Sequence, residues 1–428
     1  DKHNLVGGAD FVMANPPFNV DGVDKAKDVV KKDPRLVLDG KVNLPKNDNA
    51  NYLWIQYFYN YLKPTGRAGF VMASSASDAG HSEKDIREKL VKTGAVDVMM
   101  AIGNNFFYTR SLPCTLWFFD RAKEQNEAKR DKVLMLDARK IYRKVTSKVN
   151  DFSPEQLQNL ICIVNLYRGN TERFESTVKT YLQTAADLAK ETAEITAEMQ
   201  KQLQYLFNTV TDFATQYTGD NKEAKAFVDA LYIEETTSVY EQQNKLISEA
   251  KKVKADFESL ESIAHLCKAL RKPQDKLIKQ LLDAISTAAK EYQLSKNKDW
   301  KALNVQTEHV PSLKALQQQL SGNPDEEEPG LLNETEYFYK QAHWLTSRFP
   351  DGVYTDVEGL CKVVSQAEIE AKDWSLSPGR YVGVDTSTDD DIDYEERLNE
   401  IHIELEGLNE EAMALAKTIS ENFQDLAL

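Results

Sequence analysis

Ala9-Asp10-Phe11-Val12-Met13-Ala14-Asn15-Pro16-Pro17-Phe18 is the stretch that decides the fold. A short apolar run, Phe11 to Ala14, ends on two prolines, which reads as a strand closing on a stiffened corner. Working outward, residues 51–63 have a helical pattern crowded with aromatics (Tyr52, Trp54, Tyr57, Phe58, Tyr59, Tyr61), and Pro64-Thr65-Gly66 stops it. Ala68-Gly69-Phe70-Val71-Met72-Ala73 reads as a buried strand. Ser82 followed by Asp85 reads as the cap of an amphipathic helix running to Val91. Residues 95–102 and 114–119 are two further strands. Alternation of strand and helix marks an α/β chain with a parallel sheet. The last two strands are too closely linked for a helical crossover, so the sheet is expected to carry a reversed strand near its edge.

Beyond residue 168 the texture changes. Glycine and proline thin out, and Leu188, Ile195, Met199, Leu203, Phe207, Val210 and Phe213 fall at helical spacing, as do Phe257, Leu260, Ile263, Cys267 and Leu270, then Leu277, Leu281 and Ile285. This predicts long amphipathic helices packed on one another. Residues 323–330, rich in proline and glutamate, read as an exposed linker. The domain reading is 1–168 for the sheet, 169–322 for the long helices, 331–385 for a small mixed segment, and 386–428 for a final helix. In that last stretch Tyr394, Leu398, Ile401, Leu405, Leu408, Ala412, Leu415, Ile419 and Phe423 step by four and three, a heptad seam that needs a partner helix.

The 428 residues carry 53 basic and 68 acidic side chains, a net charge of −15. A protein reading nucleic acid unaided usually presents a basic face, so DNA contact here would need local basic segments or a partner. Cys114, Cys162, Cys267 and Cys361 are scattered, without zinc spacing or a disulfide pattern, and no metal is expected. A reducing cytoplasm fits that usage. No apolar run is long enough to span a bilayer.

Chemistry enters at Asn15-Pro16-Pro17-Phe18, because the carboxyl edge of a parallel sheet is where α/β proteins place ligands. An exocyclic amine on an aromatic ring is a weak nucleophile, its lone pair being delocalised into the ring. Two acceptors aimed at the amine hydrogens, the Asn15 side-chain oxygen and the Pro16 carbonyl, would favour a pyramidal nitrogen. The prolines stiffen that geometry in advance, and the Phe18 ring can stack on a base that has left a duplex. Lys25, Lys27, Lys31, Lys32 and Arg35 follow, as phosphate contacts or as solvated loop charges. Arg139, Lys140, Arg143, Lys144 and Lys148 form a second basic cluster.

The corner and its surroundings resemble the modification subunits of type I restriction–modification systems, within the amino-methylating DNA methyltransferases. The runs carrying the resemblance are residues 9–19, Gly66-Arg67-Ala68-Gly69-Phe70-Val71, Asn105-Phe106-Phe107-Tyr108 and Asp151-Phe152-Ser153-Pro154-Glu155-Gln156, with Ser377-Pro378-Gly379-Arg380-Tyr381 a looser match. The resemblance implies the C-terminal half of a class I methyltransferase sheet, with Asn15, Pro16, Pro17 and Phe18 as catalytic residues holding adenine. Tyr108 walls the pocket in that reading, or merely covers the core as a loop aromatic. The implied methyl donor is S-adenosyl-L-methionine. The family cradles it in a glycine-rich loop with an acidic residue upstream of the corner. That loop is expected to lie outside this sequence, which would leave the strand at residues 11–14 without its neighbours and the fragment inactive alone.

The expected function is adenine-N6 methylation of double-stranded DNA, with a specificity subunit docked on the heptad helix and a restriction (nuclease or translocase) subunit as a further partner. Two alternatives stay open: methylation of protein glutamine or RNA, since the motif type serves other planar amines, and a helical interaction protein carrying a methyltransferase remnant.

Overall fold

The computed structural model describes residues 3–21, 24, 26–46, 49–108, 111–146, 148–218, 234–291, 294–323 and 328–384. The apolar runs become six strands of one sheet: β1 (Ala9–Ala14), β2 (Leu62–Ala73), β3 (Val96–Ile102), β4 (Cys114–Asp120), β5 (Lys132–Asp137) and β6 (Cys361–Ser365), in the order β1-β2-β4-β3-β5-β6. β1 runs parallel to β2, and β3 to β5, while β4 is antiparallel to both β2 and β3, and β6 to β5. The four parallel strands therefore end on one edge.

The reversed strand exists, but its expected place near the edge is corrected. β4 lies inside the sheet, because β5 and β6 extend it beyond β3. β3 is buried at all seven positions, consistent with cover on both faces.

The aromatic-rich helix α1 (Asn51–Tyr61) ends on Tyr61 and the chain enters β2 directly at Leu62. Pro64-Thr65-Gly66 is thus not a stop outside the strand; it forms an irregularity within it, where the register jumps from Ala9↔Leu62 to Phe11↔Arg67. Gly66 is required there, since a Cβ would come within 2.7 Å of the Ala9 carbonyl oxygen and 3.0 Å of the Lys63 nitrogen. Gly66→Ala is expected to destabilise this unit by about 1–3 kcal/mol through overpacking and to speed hydrogen exchange along β1 before the other strands. Unchanged exchange in β1 would show that the bulge does not anchor it.

The helix α2 (Ser82–Thr93) begins at Ser82, and Ser82 is not its cap. His81 takes the capping position at φ 56°, without a side-chain hydrogen bond. α1 and α2 cover one face, where Tyr52, Ile55, Met72, Leu90, Met99 and Trp117 form a common core. On β1, Val12 and Ala14 pack against that core, whereas Phe11 (79%) and Met13 (92%) are exposed.

Among the described residues, the contacts divide the chain into residues 3–168 with 354–384, and residues 169–353. The first unit also contains α3 (Pro154–Arg168), opened by a reciprocal cap in which Ser153 Oγ accepts from the Gln156 amide and Gln156 Oε1 accepts from the Ser153 amide. The second unit holds α4 (Glu172–Thr218), α5 (Glu234–Ala250), α6 (Phe257–Glu291), α7 (Val310–Ser321) and α8 (Leu331–Arg348). Met199, Leu203, Val210, Ile263, Cys267 and Leu281 from the sequence stripes are buried in its core. α6 runs through Pro273, since Leu270 and Leu277 on either side are fully buried.

The stretch 331–385 is split: α8 belongs to the helical unit, while β6 and the short helix α9 (Gln366–Ala371) belong to the sheet unit. The heptad stretch 386–428 lies outside the described residues.

Candidate functional site at the carboxyl edge of the sheet

β1 delivers the Asn-Pro-Pro-Phe corner to the carboxyl edge. Pro16 is buried and Phe18 half-buried, while Asn15 and Pro17 are exposed. Among the described residues the Asn15 side chain makes no hydrogen bond, so both amide atoms face solvent uncommitted. The Phe18 ring meets Phe107 edge-on, with centroids 6.1 Å apart and planes at 75°. Sequence reasoning named Tyr108 for the pocket; the structure leaves it 91% exposed and brings its neighbour Phe107 to the corner. The Asn105-Phe106-Phe107-Tyr108 quotation contained that ring, but nothing in the sequence distinguished which aromatic turns inward.

The Phe107 loop is itself held. Asn150 donates from its backbone to the Asn105 carbonyl (2.8 Å) and from its amide to the Asn104 carbonyl (3.2 Å). Phe106 packs on Phe152 at 4.8 Å. The capped start of α3 thus props the loop that carries Phe107.

On the other side of the corner, Asn19 takes the left-handed conformation at φ 52°. Its amide nitrogen donates to Asn51 Oδ1 and its side-chain oxygen accepts from Asn51 Nδ2, both at 2.9 Å.

The basic loop divides. Lys25 lies outside the described residues. Lys27 and Lys32 are 69% and 79% exposed, 3.9 Å from Asp24 and 3.8 Å from Asp28 respectively. Lys31 is exposed. Arg35 is turned inward: it chelates Asp33, donates to the Tyr61 hydroxyl at 3.0 Å and stacks over Tyr57 at 4.0 Å. Its guanidinium serves this internal cluster rather than facing outward with the lysines.

Further along the edge, Arg139 chelates Asp137 at the end of β5. Gly379 lies so close that a Cβ would stand 2.5 Å from Arg139 Nη2. Ser377 donates to Asp78 at 2.5 Å, and Arg380 approaches the same carboxylate at 3.3 Å. Burial pushes the Asp78 carboxyl up, but hydrogen bonds from Ser375 and Ser377 and the Arg380 guanidinium outweigh it and hold the group below the usual aspartate range.

A carboxylate with a depressed folded pKa stabilises fully above its unfolded value, about 3.9, and loses that contribution as pH falls through the folded one. Asp78→Asn is therefore expected to lower the melting temperature equally between pH 5 and 7, with the gap closing below about pH 4. A gap independent of pH down to 3 would show that the charge is not what docks the Ser-Pro-Gly-Arg turn.

Cys114, where β4 leaves this edge, is no candidate nucleophile, since burial pushes its thiol up to about 11. Two glycines at the edge are packed against neighbours: a Cβ on Gly103 would come within 2.8 Å of the Arg139 carbonyl oxygen, and one on Gly379 would meet the Arg139 side chain.

Residues 1–198 match the N-6 DNA Methylase family model. A type I restriction enzyme MjaIX methylase subunit from Methanocaldococcus jannaschii is 38% identical over 153 residues, which is 36% of this chain and 27% of the relative. The HindI methylase subunit from Haemophilus influenzae is 29% identical over 154 residues, 35% of this chain and 32% of the relative. The chain thus spans about a third or less of the curated relatives it matches. Among solved structures, the methyltransferase subunit of a type I restriction-modification system from Streptococcus thermophilus aligns over 37% of this chain and 32% of that one, at 24% identity and a TM-score of 0.33. Over residues 1–198, where the corner, its Asn19 neighbour and the Phe107 loop all lie, the chain matches the N-6 DNA methylase family model and resembles the methylase subunits of type I restriction enzymes.

Proposed function

We propose that this chain is the base-gripping part of a type I modification subunit that methylates adenine at N6 in double-stranded DNA. The observation that carries the reading is the uncommitted Asn15 amide, exposed at the carboxyl end of β1 on a proline-stiffened corner, beside a Phe18 ring propped by Phe107. An adenine inside a duplex cannot reach such a corner, so the base is flipped out. Phe18 takes its face, and the Asn15 oxygen and Pro16 carbonyl accept from the two amine hydrogens. Held so, the nitrogen pyramidalises and presents its lone pair. No titratable base is needed beforehand, since the proton can leave after the methyl group arrives. S-adenosylmethionine is the donor in this reading and supplies an electrophilic methyl group. Lys27, Lys31 and Lys32 are the proposed backbone contacts. A specificity subunit is the proposed reader of sequence, with a restriction subunit as a further partner.

The test uses the whole modification subunit with its specificity partner and radiolabelled S-adenosylmethionine. Label recovered as N6-methyladenine from duplex DNA is expected. Label appearing in RNA or in protein glutamine instead would reject the assignment in favour of those substrates.

A further inference from the structure

We propose that Asn19 and Asn51 are positioning residues: a reciprocal amide clamp that fixes the Phe18 corner against α1. The proposal rests on the methylase reading and deepens it. Three observations carry it. First, the corner has few bonds of its own, since Pro16 and Pro17 have no N–H to donate. Secondly, the residue directly after Phe18 adopts a left-handed conformation, φ 52°, which an asparagine tolerates and most side chains do not. Thirdly, that residue is bonded twice to a single side chain. The Asn19 N–H donates to Asn51 Oδ1, and Asn51 Nδ2 donates back to Asn19 Oδ1, each at 2.9 Å.

The anchor is rigid. Asn51 is 1% exposed at the first turn of α1, and the following Tyr52 and Ile55 are fully buried in the core. Asn49 reinforces it, accepting from the Asn51 amide at 2.8 Å and donating to Asn19 Oδ1 at 3.4 Å. The Ala50 amide adds a bond to the Val20 carbonyl at 2.8 Å. Strand β1 fixes the corner from one side and this clamp from the other. Neither asparagine needs to touch the base; their effect passes through where Phe18 and the Asn15 amide point.

A loosened corner misplaces reacting groups by a fraction of an ångström to an ångström, which costs about 10–100-fold in rate. In the whole subunit with its specificity partner, Asn51→Ala and Asn19→Ala are each expected to lower kcat by about 10–100-fold, with KM for DNA within about twofold of the wild type. Because the two side chains act as one unit, the double variant should be no slower than the slower single. Asn19→Asp keeps the oxygen that accepts from Asn51 and tolerates the left-handed backbone, so it should recover most of the rate.

A second measurement does not depend on activity: Asn51→Ala should accelerate hydrogen exchange at the Asn19 amide, with the α1 core protected as before. A wild-type protein that transfers no methyl group to DNA would sink the methylase reading, and the clamp's purpose with it. If the wild type is active, three results would sink the clamp alone: Asn51→Ala matching the wild-type kcat, the two single losses multiplying, or an Asn19 amide that exchanges at the wild-type rate.

Discussion

Asn15→Ala is expected to reduce the rate of methyl transfer by about 100- to 1,000-fold, the usual loss when one preorganised polar partner is removed from a reacting centre. The argument is electronic. Adenine's amine shares its lone pair with the ring, and pulling on both N–H bonds from fixed acceptors returns that pair to the nitrogen. With one acceptor gone, the Pro16 carbonyl alone cannot impose the pyramidal geometry. The fold should be indifferent, since the Asn15 side chain is exposed and bonds to nothing among the described residues. DNA affinity should also hold, because phosphate contacts dominate it. The measurement is methyl incorporation over time, alongside melting and gel-shift controls. A variant that melts and binds as the wild type does and methylates at a comparable rate would end the corner's claim to the chemistry.

The largest stability effect is expected at Arg87. This side chain is 1% exposed on α2, yet it is a guanidinium. It donates to the Trp374 carbonyl, to the Tyr52 hydroxyl at 2.9 Å and to the Ala79 carbonyl at 2.8 Å. The Tyr52 hydroxyl in turn donates to the Ala76 carbonyl at 2.6 Å, and burial pushes its pKa up to about 12. One cation thus joins α1, α2, the turn after β2 and the segment that returns near residue 374. Arg87→Ala strands these acceptors without water and opens a cavity, for a combined loss of about 3–5 kcal/mol. Arg87→Met keeps much of the volume and isolates the polar part. Chemical denaturation followed by hydrogen exchange should show residues 1–168 opening more easily while the helices of 169–353 keep their protection. Equal stability of Arg87→Ala and the wild type would refute the account.

The strands at residues 11–14, 68–73, 95–102 and 114–119 were legible because continuous apolar runs bounded by breakers have one simple reading. The Asn-Pro-Pro-Phe corner stood out for a different reason: the chemistry proposed for it is carried by four adjacent residues. What escaped depends on distant partners. Cys361-Lys362-Val363-Val364-Ser365 is five residues of mild β propensity, and only pairing with Val133 to Leu136 makes it a strand. Without it the reversed β4 looked closer to the edge than it is. Phe107 and Tyr108 are adjacent aromatics, and a single turn of the loop decides which one faces Phe18. Asn19 and Asn51 are 32 residues apart, and amides carry no periodic signature.

The sheet takes its fifth strand from residues ending at Asp137 and its sixth from residues beginning at Cys361. A ribosome moving at about 5–20 residues per second spends roughly 10–45 s between them. During that interval β5 has an open flank and the core lacks Trp374, Leu376 and Tyr381, while the helices of 169–353 have all they need to fold among themselves. The later-made helical unit can therefore finish before the earlier-made sheet, and a nascent chain stopped short of residue 361 would hold complete helices and an unsealed sheet.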